Sequence, residues 1–272
     1  MAVYKYIALH CRIYKLKGII KMVKITLTGA NGKMGRVIAS VISERSDCEI
    51  ISGIDLNTAQ NDNFPIYKLP QELPENPDVI IDFSHPSALD DLLEYGLSTG
   101  TAIVFATTGY DDEQIAKIKK AAEQIPVFFT FNMSLGINLL CKLAKAAASV
   151  LGGQFDIEII EKHHNQKIDA PSGTAIMLAN AINETLDNKY QYVYDRHSQR
   201  KKREKNEIGM HAIRGGTIVG EHDVIFAGRD EVITLSHSAA SKEVFAVGAV
   251  NAAVFLAEQK AGLYDMAALL DI

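Results

Sequence analysis

The hexapeptide Val23-Lys24-Ile25-Thr26-Leu27-Thr28 runs straight into Gly29-Ala30-Asn31-Gly32-Lys33-Met34-Gly35, and this junction restricts the fold more than any other stretch. The apolar, β-branched run reads as a buried strand, and beyond it Met34, Val37, Ile38, Val41 and Ile42 recur at helical spacing. Three glycines spaced Gly29-x-x-Gly32-x-x-Gly35 between a strand and a helix sit in the context of a dinucleotide-binding turn. Glycine lets the backbone turn sharply and approach a pyrophosphate, whose charge is met by amides at the helix start. Lys33 and Arg36 add positive charge there. The spacing is not the strict G-x-G-x-x-G, so the turn gains weight from Asp55, which closes a second strand at 49–54 where a carboxylate would hold a ribose diol.

The same alternation continues. Strands are expected at 77–83, 102–105 and 127–129, with helices at 87–97 and 112–124 between them, the pattern of parallel β-α-β units. After Asn132 the rhythm changes to a long helix at 134–151, a strand at 155–161 and a helix at 174–186. Residues 195–207 are charged and aperiodic, so they read as an exposed loop. Three consecutive strands (208–214, 217–226, 231–237) suggest a separate mixed or antiparallel sheet, and an Ala-rich helix at 241–256 follows. The expected fold is α/β, with an N-terminal Rossmann-type parallel sheet over 22–133 and a C-terminal α+β domain over 134–240.

Composition narrows the function classes. A net charge of −5 gives no ground for a nucleic-acid footprint. Cys11, Cys48 and Cys141 are odd in number and widely spaced, which suits neither a disulfide framework nor a zinc site and points to a reducing compartment. No run is long and apolar enough for a membrane span. Residues 1–21 carry Lys5, Arg12, Lys15, Lys17 and Lys21 without an acidic residue. They lack the apolar centre of a signal peptide and read as a loose extension ahead of Met22, with an amphipathic targeting segment as the alternative.

Small polar residues follow three further strand ends: Asp82-Phe83-Ser84-His85, Ala106-Thr107-Thr108 and Thr130-Phe131-Asn132-Met133-Ser134. Ligands of open parallel sheets bind beyond the carboxyl ends of the strands, where these segments fall, although Ser84, Thr108 and Ser134 would also serve as helix caps. The chemically richest segment runs from Glu161 through Lys162-His163-His164-Asn165-Gln166-Lys167-Ile168-Asp169-Ala170-Pro171-Ser172-Gly173-Thr174 to Ala175. Adjacent histidines on extended backbone face opposite ways, and no ligand at metal spacing completes a set, so no metal is expected. A histidine with a lysine four residues on suits proton donation and anion binding. Ser172-Gly173-Thr174 at a helix start offers amides and hydroxyls to a carboxylate.

The run 161–175 closely resembles the E-x-H-H-x-x-K-x-D-A-P-S-G-T-A signature of the dihydrodipicolinate reductases. The glycine turn, Asp55, Ala106-Thr107-Thr108, Asn132 and Arg214-Gly215-Gly216…Gly220-Glu221-His222 also appear in that family's order, so the likeness spans the chain from about Met22. It implies hydride transfer from NADH or NADPH to 4-hydroxy-tetrahydrodipicolinate, a small dicarboxylate, in the diaminopimelate route to lysine. It further implies His163 as general acid, Lys167 as a second proton donor and carboxylate contact, and His164, Gly173 and Thr174, beside Ser172, as substrate contacts. The nucleotide would meet Gly29, Ala30, Asn31, Gly32, Lys33, Met34, Asp55, Ala106, Thr107, Thr108, Thr130, Phe131, Asn132 and Met133. The resemblance also implies a last helix returning to the first domain, so that 241–272 complete it, a homotetramer built through the second sheet, and a cytoplasmic enzyme. Lys33 stands where many members have arginine and Ala106 where glycine is common. NADH is expected to serve at least as well as NADPH, because Asp55 would repel a 2′-phosphate and Leu56 is no clamp for one, while Lys33 and Arg36 offset that repulsion. The rivals are weaker: a semialdehyde dehydrogenase needs a reactive cysteine, a short-chain dehydrogenase needs Tyr-x-x-x-Lys, and a non-catalytic nucleotide sensor would not need the His163/Lys167 pair.

Overall fold

The computed structural model describes residues 22–60 and 63–270. The basic segment 1–21 lies outside the described residues. The chain divides into two units, one running to Thr130 and resuming at Ala249, the other Phe131–Gly248.

The first unit begins with β1 (Val23–Thr28), α1 (Lys33–Ser43) and β2 (Cys48–Ile54), followed by β3 (Ile66–Tyr67) and β4 (Val79–Asp82). It continues through α2 (Leu89–Thr99), β5 (Ala102–Phe105), α3 (Asp112–Ala121) and β6 (Pro126–Phe129). The second unit holds α4 (Leu135–Leu151), β7 (Asp156–His163), α5 (Gly173–Thr185), β8 (Gln191–Val193), β9 (Glu207–Arg214), β10 (Gly220–Ala227) and β11 (Val232–Ala239). Helix α6 (Glu243–Leu256) leads back to the first unit, where β12 (Gly262–Tyr264) and α7 (Met266–Leu270) end the described chain.

Among the described residues β12 joins a seven-stranded sheet of order β12-β6-β5-β4-β1-β2-β3, paired in parallel throughout. The strand order reverses between β1 and β4, the position at which doubly wound sheets bind nucleotides. Ile25, Leu27, Ile80, Ile81, Ile103 and Val104 are fully buried, which is why these central strands are continuous apolar runs rather than alternating ones. Asp111 and Gln114 close α3 with a capping box, so that helix starts where its sequence says it should.

The other sheet is mixed, of order β11-β10-β7-β9-β8, with β7, β9 and β8 parallel and β10 antiparallel to both its neighbours. Its strands alternate. Ile157, Ile159, Ile208, Met210, Val224 and Phe226 pack on Ile137, Leu140, Ala144 and Ala148 of α4 and Leu178, Ala179 and Ile182 of α5. The opposite face keeps Ile160 and Ile225 half-buried and Ile213 and Val232 exposed.

Three short strands, β3, β8 and β12, had no signature of their own, and the strand expected at 217–226 begins only at Gly220. The charged stretch 195–207 is a loop, as expected, but a tethered one. Arg196 pairs with Glu158 (2.7 Å) and Glu207 (2.8 Å), and Arg203 with Asp156 (2.9 Å), Glu158 (3.0 Å) and the Glu207 carbonyl (2.6 Å). Its charge therefore fastens it along β7 and β9.

Candidate active site

In the first unit, the turn after β1 is shaped by what glycine lacks. Gly29 sits at φ +73°, and a Cβ there would collide with the Phe83 carbonyl, while one on Gly35 would meet the carbonyl oxygens of Gly29 and Ala30. Helix α1 starts at Gly32 with no side-chain cap, so its first-turn amides are left for an anion. Asp55 is held from both sides: its Oδ2 accepts the Asn31 N–H (2.9 Å) and its Oδ1 the Asn57 N–H (2.9 Å). Each oxygen keeps a lone pair for another donor. Asn31 in turn donates its side-chain amide to the carbonyls of Asn57 (2.7 Å) and Ala59 (2.9 Å), joining the glycine turn to the loop after β2.

The ends of β4 and β5 are joined by a buried carboxylate. Asp82 accepts from Ser84 Oγ (2.5 Å) and Tyr110 OH (2.9 Å), and the Ser84 N–H also reaches Thr107 Oγ1 (2.8 Å). Burial pushes the Asp82 carboxyl up despite these donors, and burial beside Asp82 pushes the Tyr110 phenol up. Thr107 is thereby fixed at the strand end, Ala106 is buried behind it and Thr108 is exposed.

In the second unit, β7 alternates Ile157, Ile159 and Glu161 inward, so the carboxylate of Glu161 is buried (1% exposed) at the strand's end. Period two places His163 on the same face. Its Nδ1 lies 2.6 Å from Glu161 Oε2, while Nε2 makes no hydrogen bond among the described residues. Register brings the rest: β9 sets Arg214 beside His163, and β10 sets His222 beside Glu161. Arg214 grips Glu161 with two hydrogen bonds of 2.7 Å and donates to the Asp169 carbonyl (2.8 Å). The Ser172 N–H donates to Glu161 Oε1 (3.0 Å), and Ser172 Oγ caps α5 at the Ala175 N–H and lies 3.1 Å from His222 Nε2. Burial acts to raise the Glu161 carboxyl, but the donors from Arg214, His163 and Ser172 outweigh it and hold it below the usual range. His222 packs edge-on to His163 with ring centroids 5.3 Å apart, and burial, with His163 nearby, pushes it down to about 4.

Lys167 pairs with Asp169 at 2.8 Å on the loop between β7 and α5. Thr174, in the first turn of α5, accepts from the side-chain amide of Asn132 (2.9 Å). Asn132 also accepts the Ser134 N–H, and Asn138 donates to its carbonyl, so this segment is built into the start of α4. Phe131 is largely exposed and Met133 buried. Of the residues picked from sequence as nucleotide contacts, Gly29 to Met34, Asp55, Ala106 to Thr108 and Thr130 belong to the first unit, and Phe131, Asn132 and Met133 to the second. His163, His164, Lys167, Ser172, Gly173 and Thr174 all lie in the second unit. Sequence reasoning gave no role to Glu161, Arg214 or His222. The signals for them were the position of Glu161, two before His163 on a strand, and the place of Arg214 and His222 in the segment that matches the family's order.

Residues 23–133 match the model of the N-terminus of dihydrodipicolinate reductase, and residues 136–270 that of its C-terminus. A 4-hydroxy-tetrahydrodipicolinate reductase of Caldanaerobacter subterraneus subsp. tengcongensis is 53% identical over 245 residues, covering 90% of this chain and 97% of the relative. One from Clostridium tetani is 46% identical, covering 92% and 98%. Among solved structures, a dipicolinate-bound dihydrodipicolinate reductase from Paenisporosarcina sp. TG-14 superimposes with a TM-score of 0.76 at 25% identity, covering 90% of this chain and 98% of that one.

Proposed function

The chain belongs to the dihydrodipicolinate reductase family, and from that premise we propose how its own residues carry out the reaction. It is an NAD(P)H-dependent reductase that converts 4-hydroxy-tetrahydrodipicolinate to tetrahydrodipicolinate on the diaminopimelate route to lysine. The change replaces a hydroxyl by hydrogen, so a hydride enters and a proton leaves with the hydroxyl as water. The nicotinamide nucleotide, when bound, supplies the hydride.

The first unit has the features such a nucleotide needs: a turn with no room for a Cβ at Gly29 or Gly35, an uncapped helix start and a doubly anchored carboxylate at Asp55. In this reading Gly29 to Met34 receive the pyrophosphate, Asp55 the adenosine ribose, and Ala106 to Thr108 with Thr130 to Met133 the remainder. NADH is used at least as well as NADPH, since Asp55 opposes a 2′-phosphate.

His163 is the general acid. The observation that carries this reading is its geometry, with Nδ1 engaged at 2.6 Å by a buried carboxylate and Nε2 without a hydrogen-bond partner among the described residues. Lys167, Ser172, Gly173, Thr174 and His164 receive the carboxylates of the substrate, and Lys167 serves as second proton donor. The relative from Paenisporosarcina, solved with a small aromatic dicarboxylate, supports that choice of ligand class. The face of the mixed sheet turned away from α4 and α5, where Ile160 and Ile225 are half-buried and Ile213 and Val232 exposed, supports a homotetramer assembled there. The unpaired thiols of Cys48 and Cys141 suit the cytoplasm. The test is an assay with NADH and NADPH, coupled to freshly made product of the preceding synthase. Oxidation of either nucleotide is expected, and absence of both reactions would sink the proposal.

A further inference from the structure

We propose that Glu161 is the positioning residue of the proton donor: its carboxylate fixes His163 in the Nδ1–H tautomer and supports the ring when it is charged, which leaves Nε2 as the nitrogen that releases the proton. The role rests on the reading of His163 as general acid. Glu161 is 1% exposed, and four donors saturate it. Oε2 accepts from His163 Nδ1 (2.6 Å) and Arg214 Nη1 (2.7 Å), and Oε1 from Arg214 Nη2 (2.7 Å) and the Ser172 N–H (3.0 Å). A carboxylate gripped by a bidentate guanidinium stays ionised and can only accept, so the hydrogen in the 2.6 Å contact belongs to Nδ1.

The direction of proton flow follows. After Nε2 releases its proton, the ring is neutral with Nδ1–H still bonded to Glu161, and the carboxylate takes no proton itself. Among the described residues the charged groups facing the ring from the packed strands are Glu161 on β7 and Arg214 on β9. His222 on β10 stays neutral down to about pH 4, and the cap of α5 brings the polar Ser172. Arg214 also holds the carbonyl of Asp169, whose carboxylate pairs with Lys167, so one guanidinium secures both the support of the acid and the loop carrying the lysine. A purely structural purpose does not account for this arrangement, because a buried ion pair is a weak stabiliser compared with an apolar replacement of similar shape.

Glu161→Gln keeps the shape, removes the charge and lets the new amide donate to Nδ1, favouring the wrong tautomer. It should lower kcat about tenfold to a hundredfold with little change in the substrate KM, and by no more than His163→Ala does. The double variant should be no slower than His163→Ala alone. Two-bond proton–nitrogen NMR of the full-length wild-type enzyme at alkaline pH, with the His163 signal identified by its loss in His163→Ala, should show Nδ1–H. An Nε2–H pattern, an undiminished kcat in Glu161→Gln, or losses that multiply in the double variant would each overturn the proposal. If Glu161→Gln does not fold, the wild-type spectrum decides alone. Full turnover by His163→Ala would instead remove the general-acid reading, an outcome the tautomer spectrum does not share.

Discussion

His163 and Lys167 sit four residues apart, but their surroundings differ. His163 is held by a buried carboxylate, so its side chain is preorganised, whereas Lys167 ends on an outlying aspartate that a substrate carboxylate can replace. His163→Ala should therefore lower kcat by about 10²–10⁴ and leave KM nearly unchanged, since a general acid acts mainly in the transition state. A variant with near-wild-type kcat would take the residue out of the mechanism. Lys167→Ala should raise the substrate KM and also lower kcat; steady-state kinetics showing a KM effect alone would make it a binding residue only. Asp55 offers a third test at this scale. Asp55→Ala should weaken NADH more than NADPH, because under the proposed reading it removes an acceptor for the ribose that opposes a 2′-phosphate, while the loss of the Asn31 and Asn57 anchor falls on both nucleotides. Parallel losses for the two nucleotides would show that the carboxylate does not discriminate between them.

Strands β7 and β10 make the stability of the second unit sensitive to acid. His222 is buried and neutral, held down to about 4, whereas an unfolded histidine takes a proton near 6.5. Between those values the unfolded chain binds the proton and the folded one does not, so stability present above about pH 6.5 is lost as the pH falls. Glu161, held below its ordinary range, adds a loss of the same sign in still stronger acid. Urea unfolding should show a drop on the order of 2 kcal/mol from His222 between pH 7 and pH 5. His222→Gln should flatten that part of the profile. An unchanged pH slope in the variant would mean another group is responsible. The glycine turn obeys a different constraint at this scale, since its backbone path forbids a Cβ at Gly29 and Gly35, where β1 passes into α1.

At the scale of the whole molecule, the mixed sheet of the second unit packs α4 and α5 on one face. Ile225 lies on the other face, opposite Glu158 in the β7–β10 register. Ile225→Lys places a cation beside that carboxylate, so the subunit should still fold while a new charge enters this face. Light scattering after gel filtration should report a tetramer for the wild type and smaller species for the variant. A monomeric wild type, or a variant that assembles unchanged, would move the interface elsewhere.

The local pattern of the sequence was enough for the strand–turn–helix order, the glycine cradle with Asp55, and the contiguous run from Glu161 to Ala175. These are visible because hydrophobic period and capping chemistry act over a few neighbouring residues: Ser172 caps α5 and Asp111 caps α3 as their sequences require. The segments 66–67, 191–193 and 262–264 carry too few residues to show a period, and they became strands because β2, β9 and β6 offered free edges. The same holds for the charge of 195–207, which reads locally as solvation and is satisfied by Asp156, Glu158 and Glu207 on neighbouring strands. Above all, nothing local tells that Arg214 and His222 meet Glu161 and His163. That follows from the register of β9 and β10 on β7, which is set by packing the inward faces of the sheet on α4 and α5. Sequence determined which residues could do the chemistry; tertiary structure decided which carboxylate and which guanidinium stand behind them, because strand register is fixed by long-range burial and not by neighbours in the chain.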